Sequence, residues 1–168
     1  MNKPSSIILI GMPGCGKSTV GVILAKRTTR NFIDTDVLIQ ISEKRSLQDI
    51  VDHDGHMVLR KIEENVLLQL RCTDCIIATG GSAAYSDLAM KHLQSLGKIV
   101  FLNIPLKTIQ KRVKDFSTRG LAKRPDQTLQ DLFNERLELY FRYADVVIDG
   151  NALTQEETCD ELIAKLRP

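Results

Sequence analysis

Short β-branched runs alternate with stretches of helical period along this chain of 168 residues. Ile7–Ile10 is an unbroken apolar run ending at Gly11, the pattern of a strand buried on both faces. A helix is predicted from about Lys17 to Arg30, then a brief strand at Asn31–Ile33. Ser46-Leu47-Gln48-Asp49 has the spacing of a capping box and opens a short helix. Leu59, Ile62, Val66, Leu67 and Leu70 then share one face of a longer helix. Cys75–Ala78 reads as a third strand, stopped by Thr79-Gly80-Gly81. Helix Asp87–Ser95 leads into strand Ile99–Asn103, and Pro105 opens a helix to about Lys114. Residues 115–126 show no apolar period and are rich in charge, Gly and Pro, so they read as a mobile loop. Thr128 caps a helix bearing Leu129, Leu132, Phe133, Leu137 and Tyr140. Val146–Ile148 is a fifth strand, and Thr154-Gln155-Glu156-Glu157 caps the last helix.

Strands alternating with helices in this way predict an α/β fold, a parallel sheet covered by helices on both faces. In such sheets ligands sit beyond the carboxyl ends of the strands. That rule gathers Gly11–Ser18, Asp34–Asp36 and Thr79–Ser82 on one rim.

Composition narrows the setting. The length fits one domain, and a formal net charge of +2 is too small to make nucleic acid or an anionic membrane the expected partner. No apolar run approaches a membrane span, and the polar N-terminus shows no secretory pattern, so a cytoplasmic monomer is expected. Cys72 and Cys75 form a C-x-x-C without a second pair. With His53 and His56 in a polar turn, the expectation is free thiols and solvated histidines rather than a zinc site.

The chemistry is concentrated at Gly11-Met12-Pro13-Gly14-Cys15-Gly16-Lys17-Ser18, which fits G-x-x-x-x-G-K-[ST] between a predicted strand and a predicted helix. Gly11, Gly14 and Gly16 allow the backbone to curl, so that N–H groups through Cys15 and Thr19 face phosphate oxygens. The helix that follows adds its positive end. Lys17 reaches the β- and γ-phosphates of ATP, and the Ser18 hydroxyl is a ligand for Mg²⁺. Neither Cys75–Ala78 nor Ile99–Asn103 ends in an aspartate, and no N-K-x-D follows a later strand. A motor, transporter subunit or GTPase is therefore disfavoured against a kinase. The carboxylates lie instead at Asp34-Thr35-Asp36, where one suits Mg²⁺ through water and the other suits the attacking hydroxyl. A pair favoured by a helix N-terminus is the alternative reading.

Together with this loop, Asp34-Thr35-Asp36, Leu59-Arg60-Lys61-Ile62-Glu63-Glu64, Ala78-Thr79-Gly80-Gly81, an arginine-bearing loop and Glu135-Arg136-Leu137-Glu138-Leu139-Tyr140 occur in an order that resembles the shikimate kinase family over almost the whole chain. The resemblance implies a three-layer α/β/α P-loop NTPase fold with a five-stranded sheet in order 2-3-1-4-5. It implies one domain over 1–168, with substrate-binding helices over about 36–62 and a lid over about 115–126. It also implies transfer of the ATP γ-phosphoryl group to the 3-hydroxyl of shikimate. Asp34 then belongs to the metal side and Asp36 to the substrate hydroxyl. Arg60 and Arg136, which by themselves read as surface arginines or partners of Glu63, Glu64 or Glu135, become clamps for the acceptor's carboxylate. Gly80, Gly81 and Ser82 line the acceptor, Arg112 stacks on adenine, and Arg119 is the lid arginine at the transferred group.

Three positions depart from the family pattern. Ser82 stands where a third glycine is usual, Gly120 follows Arg119 where proline is usual, and Glu138 replaces a proline. Arg124-Pro125 offers a competing alignment for the lid arginine. These departures keep open a different small hydroxy acid or polyol as acceptor. A non-enzymatic ATP-binding module is the other alternative, which the intact set of Lys17, Ser18 and Asp36 disfavours.

Overall fold

Five strands, β1 (Ser6–Ile10), β2 (Asn31–Asp34), β3 (Cys75–Ala78), β4 (Gly97–Asn103) and β5 (Val146–Asp149), form one parallel sheet. Their order is β2-β3-β1-β4-β5, as the resemblance implied. The computed structural model describes residues 5–113, 116 and 120–166. The central strand β1 pairs with β3 on one side and β4 on the other, with Ile8 level with both Ile77 and Ile99. Every residue of β1 and β3 is buried, which is why both read as continuous apolar runs. Burying side chains such as Ile8, Leu9, Ile76 and Ile77 contributes roughly 1.5–3 kcal/mol each and fixes the sheet as the core.

Helix α1 (Lys17–Thr28) leaves the end of β1 and packs on α8 (Gln155–Leu166). It stops short of the predicted Arg30 because Thr29 turns into the left-handed region at φ 57° and ends the helix. Helices α2 (Thr35–Glu43), α3 (Leu47–Asp54) and α4 (His56–Gln69) follow β2. The capping box at Ser46 and Asp49 is formed. Helix α5 (Asp87–Leu96) packs on α4 and β4, and α6 (Leu106–Arg112) begins at Pro105. Helix α7 (Leu129–Tyr143) carries a second capping box at Thr128 and Asp131. Glu138 lies exposed within it.

Two hydrophobic clusters divide the molecule. The larger holds the sheet with α1, α5, α7 and α8. The smaller joins Ile39, Ile50, Leu59 and Ala122, so it links α2, α3 and α4 to the segment just before α7. Among the described residues no helix is long and apolar enough to cross a membrane.

Cys72 and Cys75, expected as free thiols, lie with their sulfurs face to face. Asp74, at φ 62°, folds the chain back between them and brings their Cα atoms to 6.2 Å, within disulfide reach.

Candidate active site

The loop after β1 closes on itself through a Cys15 N–H bond to the Met12 carbonyl at 3.1 Å. Gly16, at φ 102°, forms the N-cap of α1. The Lys17 ammonium is buried and donates to the carbonyls of Gly11 at 2.8 Å and Met12 at 2.9 Å. Ser18 and Thr19 are exposed at the first turn of α1. Helix geometry thus presents unpaired backbone N–H groups, a cation and two hydroxyls towards one space.

That space is a cavity of about 530 Å³ along the carboxyl rim of the sheet. Gly14, Gly16, Lys17, Ser18, Thr19 and Arg112 line one end, and Asp36, Glu63, Gly80, Gly81, Ser82 and Arg136 line the other. Gly11 and Cys15 shape the loop without forming its wall, and Arg112 donates to the Cys15 carbonyl at 3.4 Å. Arg119 lies outside the described residues, as does most of the first half of the expected lid. Arg124, the competing lid arginine, pairs with Glu135 at 3.3 Å.

The two aspartates take different positions. Asp34 caps α2, its Oδ1 accepting from the backbone N–H groups of Asp36 and Val37. Asp36, two residues further, faces the cavity. Burial pushes its carboxyl above the usual range, Lys17 opposes that shift, and Asp34 adds to it.

The chain at Thr79–Ser82 is held from several sides. The Thr79 hydroxyl donates to the Leu9 carbonyl at 3.1 Å, and the Gly80 N–H donates to the buried Thr35 hydroxyl at 3.1 Å. Tyr140, fully buried, donates its hydroxyl to the Gly81 carbonyl. A side chain at Gly80 would collide with Glu63 Oε1 and Asp36 Oδ1. Glycine is therefore required there by the two carboxylates behind it.

Glu63 is the residue that sequence reasoning passed over, having been considered only as an ion-pair partner for Arg60. Its carboxyl is buried and accepts from the Ser82 hydroxyl. Burial first, then the Asp36 charge, push its pKa up to about 7, against the Ser82 hydrogen bond, Arg136 and Lys17. Glu64 pairs instead with Lys61 and accepts from Ser86. The side chain of Ser82 is thus turned towards α4. Gly120 is explained as well: at φ 60°, with its N–H donating to Gln48 Oε1 at 2.9 Å, it occupies a place proline could not fill.

Arg60 and Arg136 converge without both reaching the cavity wall. Arg136 is 1% exposed and lines the cavity, whereas Arg60 sits beside it outside the wall. Both donate to one oxygen, the Ala122 carbonyl, at 3.2 Å from Arg60 and 3.0 Å from Arg136. Among the described residues, the buried side-chain atoms without a partner are Arg60 Nε, Arg136 Nε and Glu63 Oε1. Arg136 and Glu63 thus give that end of the cavity an unpaired donor on a cation and an unpaired carboxyl oxygen, with the Arg60 Nε donor just behind the wall.

A parallel sheet in this order, with a phosphate loop after its first strand, defines a P-loop protein of the nucleoside-triphosphate-hydrolase fold. The family model for shikimate kinase matches residues 13–167. The shikimate kinase of Rippkaea orientalis is 37% identical over 164 residues, 96% of this chain and 85% of that relative. That of Aquifex aeolicus is 35% identical over 161 residues, 95% of each chain. Among solved structures, the shikimate kinase of Acinetobacter baumannii in complex with shikimate superposes with a TM-score of 0.88 at 28% identity, covering 97% of this chain and 96% of that one. The chain belongs to the shikimate kinase family and is a kinase.

Proposed function

We propose that the chain transfers the γ-phosphoryl group of ATP to the 3-hydroxyl of shikimate. One observation carries this reading: a single cavity joins a phosphate loop to an end furnished with Asp36, Glu63 and Arg136. An acceptor with hydroxyls and a carboxylate satisfies that end, the hydroxyls at the acidic side chains and the carboxylate at the guanidiniums.

The backbone from Gly11 to Ser18, together with the N-terminus of α1, cradles the polyphosphate. Lys17 exchanges its loop carbonyls for phosphate oxygens and steadies charge on the transferred group. Asp36 accepts a hydrogen bond from the attacking hydroxyl and aims its oxygen in line. Arg60 and Arg136 hold the carboxylate, Gly80, Gly81 and Ser82 bound the ring, and Arg112 covers the adenine. Arg119 approaches the developing charge from the lid at 115–126. The exposed Ser18 hydroxyl lines the cavity and is a hard oxygen donor, and Asp34, off that wall, uses only Oδ1 in the α2 cap, so the pair fits Mg²⁺ with water between Asp34 and the ion. Bound there, Mg²⁺ supplies charge neutralisation between the terminal phosphates. The protein works as a cytoplasmic monomer of one domain, with ATP and a small acidic acceptor as its partners.

Phosphorus NMR of a reaction with ATP, Mg²⁺ and shikimate tests the proposal. The expected products are ADP and one phosphate monoester on the 3-oxygen of shikimate. Intact shikimate beside consumed ATP, or turnover only with another hydroxy acid in a panel, would overturn it.

A further inference from the structure

The Arg60 guanidinium, partly buried and close to that of Arg136, lies on the ring of Tyr85. Arg60 Cζ stands 3.6 Å from the ring centroid and Arg136 Cζ 5.6 Å. Burial alone disfavours the charge on Arg60, and the neighbouring Arg136 cation adds to that, whereas Tyr85 and the glutamates oppose it. A π face at this distance replaces part of the hydration a guanidinium loses on burial. The Tyr85 hydroxyl in turn donates to Glu135 Oε1. Glu135 Oε2 accepts from Gln127 Nε2 at 2.9 Å and pairs with Arg124 at 3.3 Å. Tyr85 therefore touches the Arg60 cation with its ring and the middle of α7 with its hydroxyl.

We propose that Tyr85 is a positioning residue that sets the acceptor's carboxylate selectivity, acting through the Arg60 guanidinium stacked on its ring. The Ala122 carbonyl, shared by both arginines, marks where an anionic oxygen fits between them. Tyr85 fixes one side of that pair, and the packed helix α7 fixes the other, because Arg136 is fully enclosed. Without the ring, Arg60 keeps only its bond to the Ala122 carbonyl, which an acceptor's carboxylate replaces, and the carboxylate is left with one firmly held partner. The inference rests on the proposed arginine clamp, so its test separates the two.

Wild type, Tyr85→Phe, Tyr85→Leu and Tyr85→Met are compared for KM and kcat with shikimate and with its carboxamide, alongside the KM for ATP. Wild type prefers the carboxylate. Tyr85→Leu raises the shikimate KM by roughly three- to thirtyfold, the range of a partly desolvated cation–π contact, and narrows the preference over the carboxamide. The KM for ATP and kcat stay within about twofold of wild type, and Tyr85→Phe, which keeps the ring, retains most of the selectivity. Tyr85→Met gives the same reading if Tyr85→Leu does not fold. Wild type showing no preference would overturn the clamp, and the inference with it. A preferring wild type whose Leu or Met variant discriminates equally well would overturn the role of Tyr85 alone. A parallel rise in the KM for both substrates would also overturn it, since that marks general disruption.

Discussion

Glu63 and Asp36 share one buried corner, yet they are held by different means. Asp36 faces the cavity at the head of α2, whereas Glu63 leans on the Ser82 hydroxyl from α4. A carboxyl whose folded pKa is about 7 against an ordinary 4.5 binds more protons in the folded state between those values. Unfolding free energy from this group is therefore greatest below pH 4.5 and is lost as pH rises to about 7. Asp36 faces Glu63 as a like charge, and Lys17 and Arg136 face it as cations. Urea unfolding at pH 5 and pH 8 should show Glu63→Gln gaining on wild type at the higher pH, by an amount on the order of a few kcal/mol. Parallel curves would mean that Glu63 is ionised in the fold. For Asp36→Asn, kcat should fall by about 10²–10⁴ while ATP affinity is kept, because the amide cannot accept the hydroxyl's proton. Near-normal turnover would remove Asp36 from the chemistry. Neither the Glu63–Ser82 contact nor the Tyr85–Arg60 stack has a local signal in the sequence. The partners stand 19 and 25 residues apart, and only the fold joins them.

At the level of elements, the features written in the sequence are those that depend on near neighbours. The capping boxes at Ser46 and Thr154 and the cap at Thr128 appear where their spacing places them, and the phosphate loop lies between its strand and helix. Asp34-Thr35-Asp36 carried two readings, of which the structure shows the helix cap at Asp34. Asp34 is a helix cap by hydrogen bonding, and Asp36 faces the cavity. Less legible was the segment before α7, whose shape depends on distant partners. Gly120 packs against Leu47 and bonds Gln48, and Ala122 joins the smaller cluster. Gly120→Pro restores the family's usual residue at a position whose φ of 60° proline cannot adopt. It should cost more than about 1 kcal/mol in thermal unfolding and raise the shikimate KM, since Gly120 lines the cavity. Unchanged stability would show that the backbone there readily takes a second conformation.

Across the whole molecule, the two hydrophobic clusters match the two ends of the cavity. The sheet and α1 form a stiff base for the phosphate loop. The smaller cluster joins α2, α3 and α4 to Ala122, in the segment just before α7. The strand order followed from the family pattern rather than from any single strand, because a register between β1 and β4 is a property of the assembled sheet. The most direct measurement is the initial rate of ADP release in Mg²⁺ buffer as shikimate is titrated, with Lys17→Met as the control. Saturable, shikimate-dependent release that disappears in Lys17→Met is the predicted result. A rate that ignores shikimate, or one that survives loss of the Lys17 ammonium, would contradict the account.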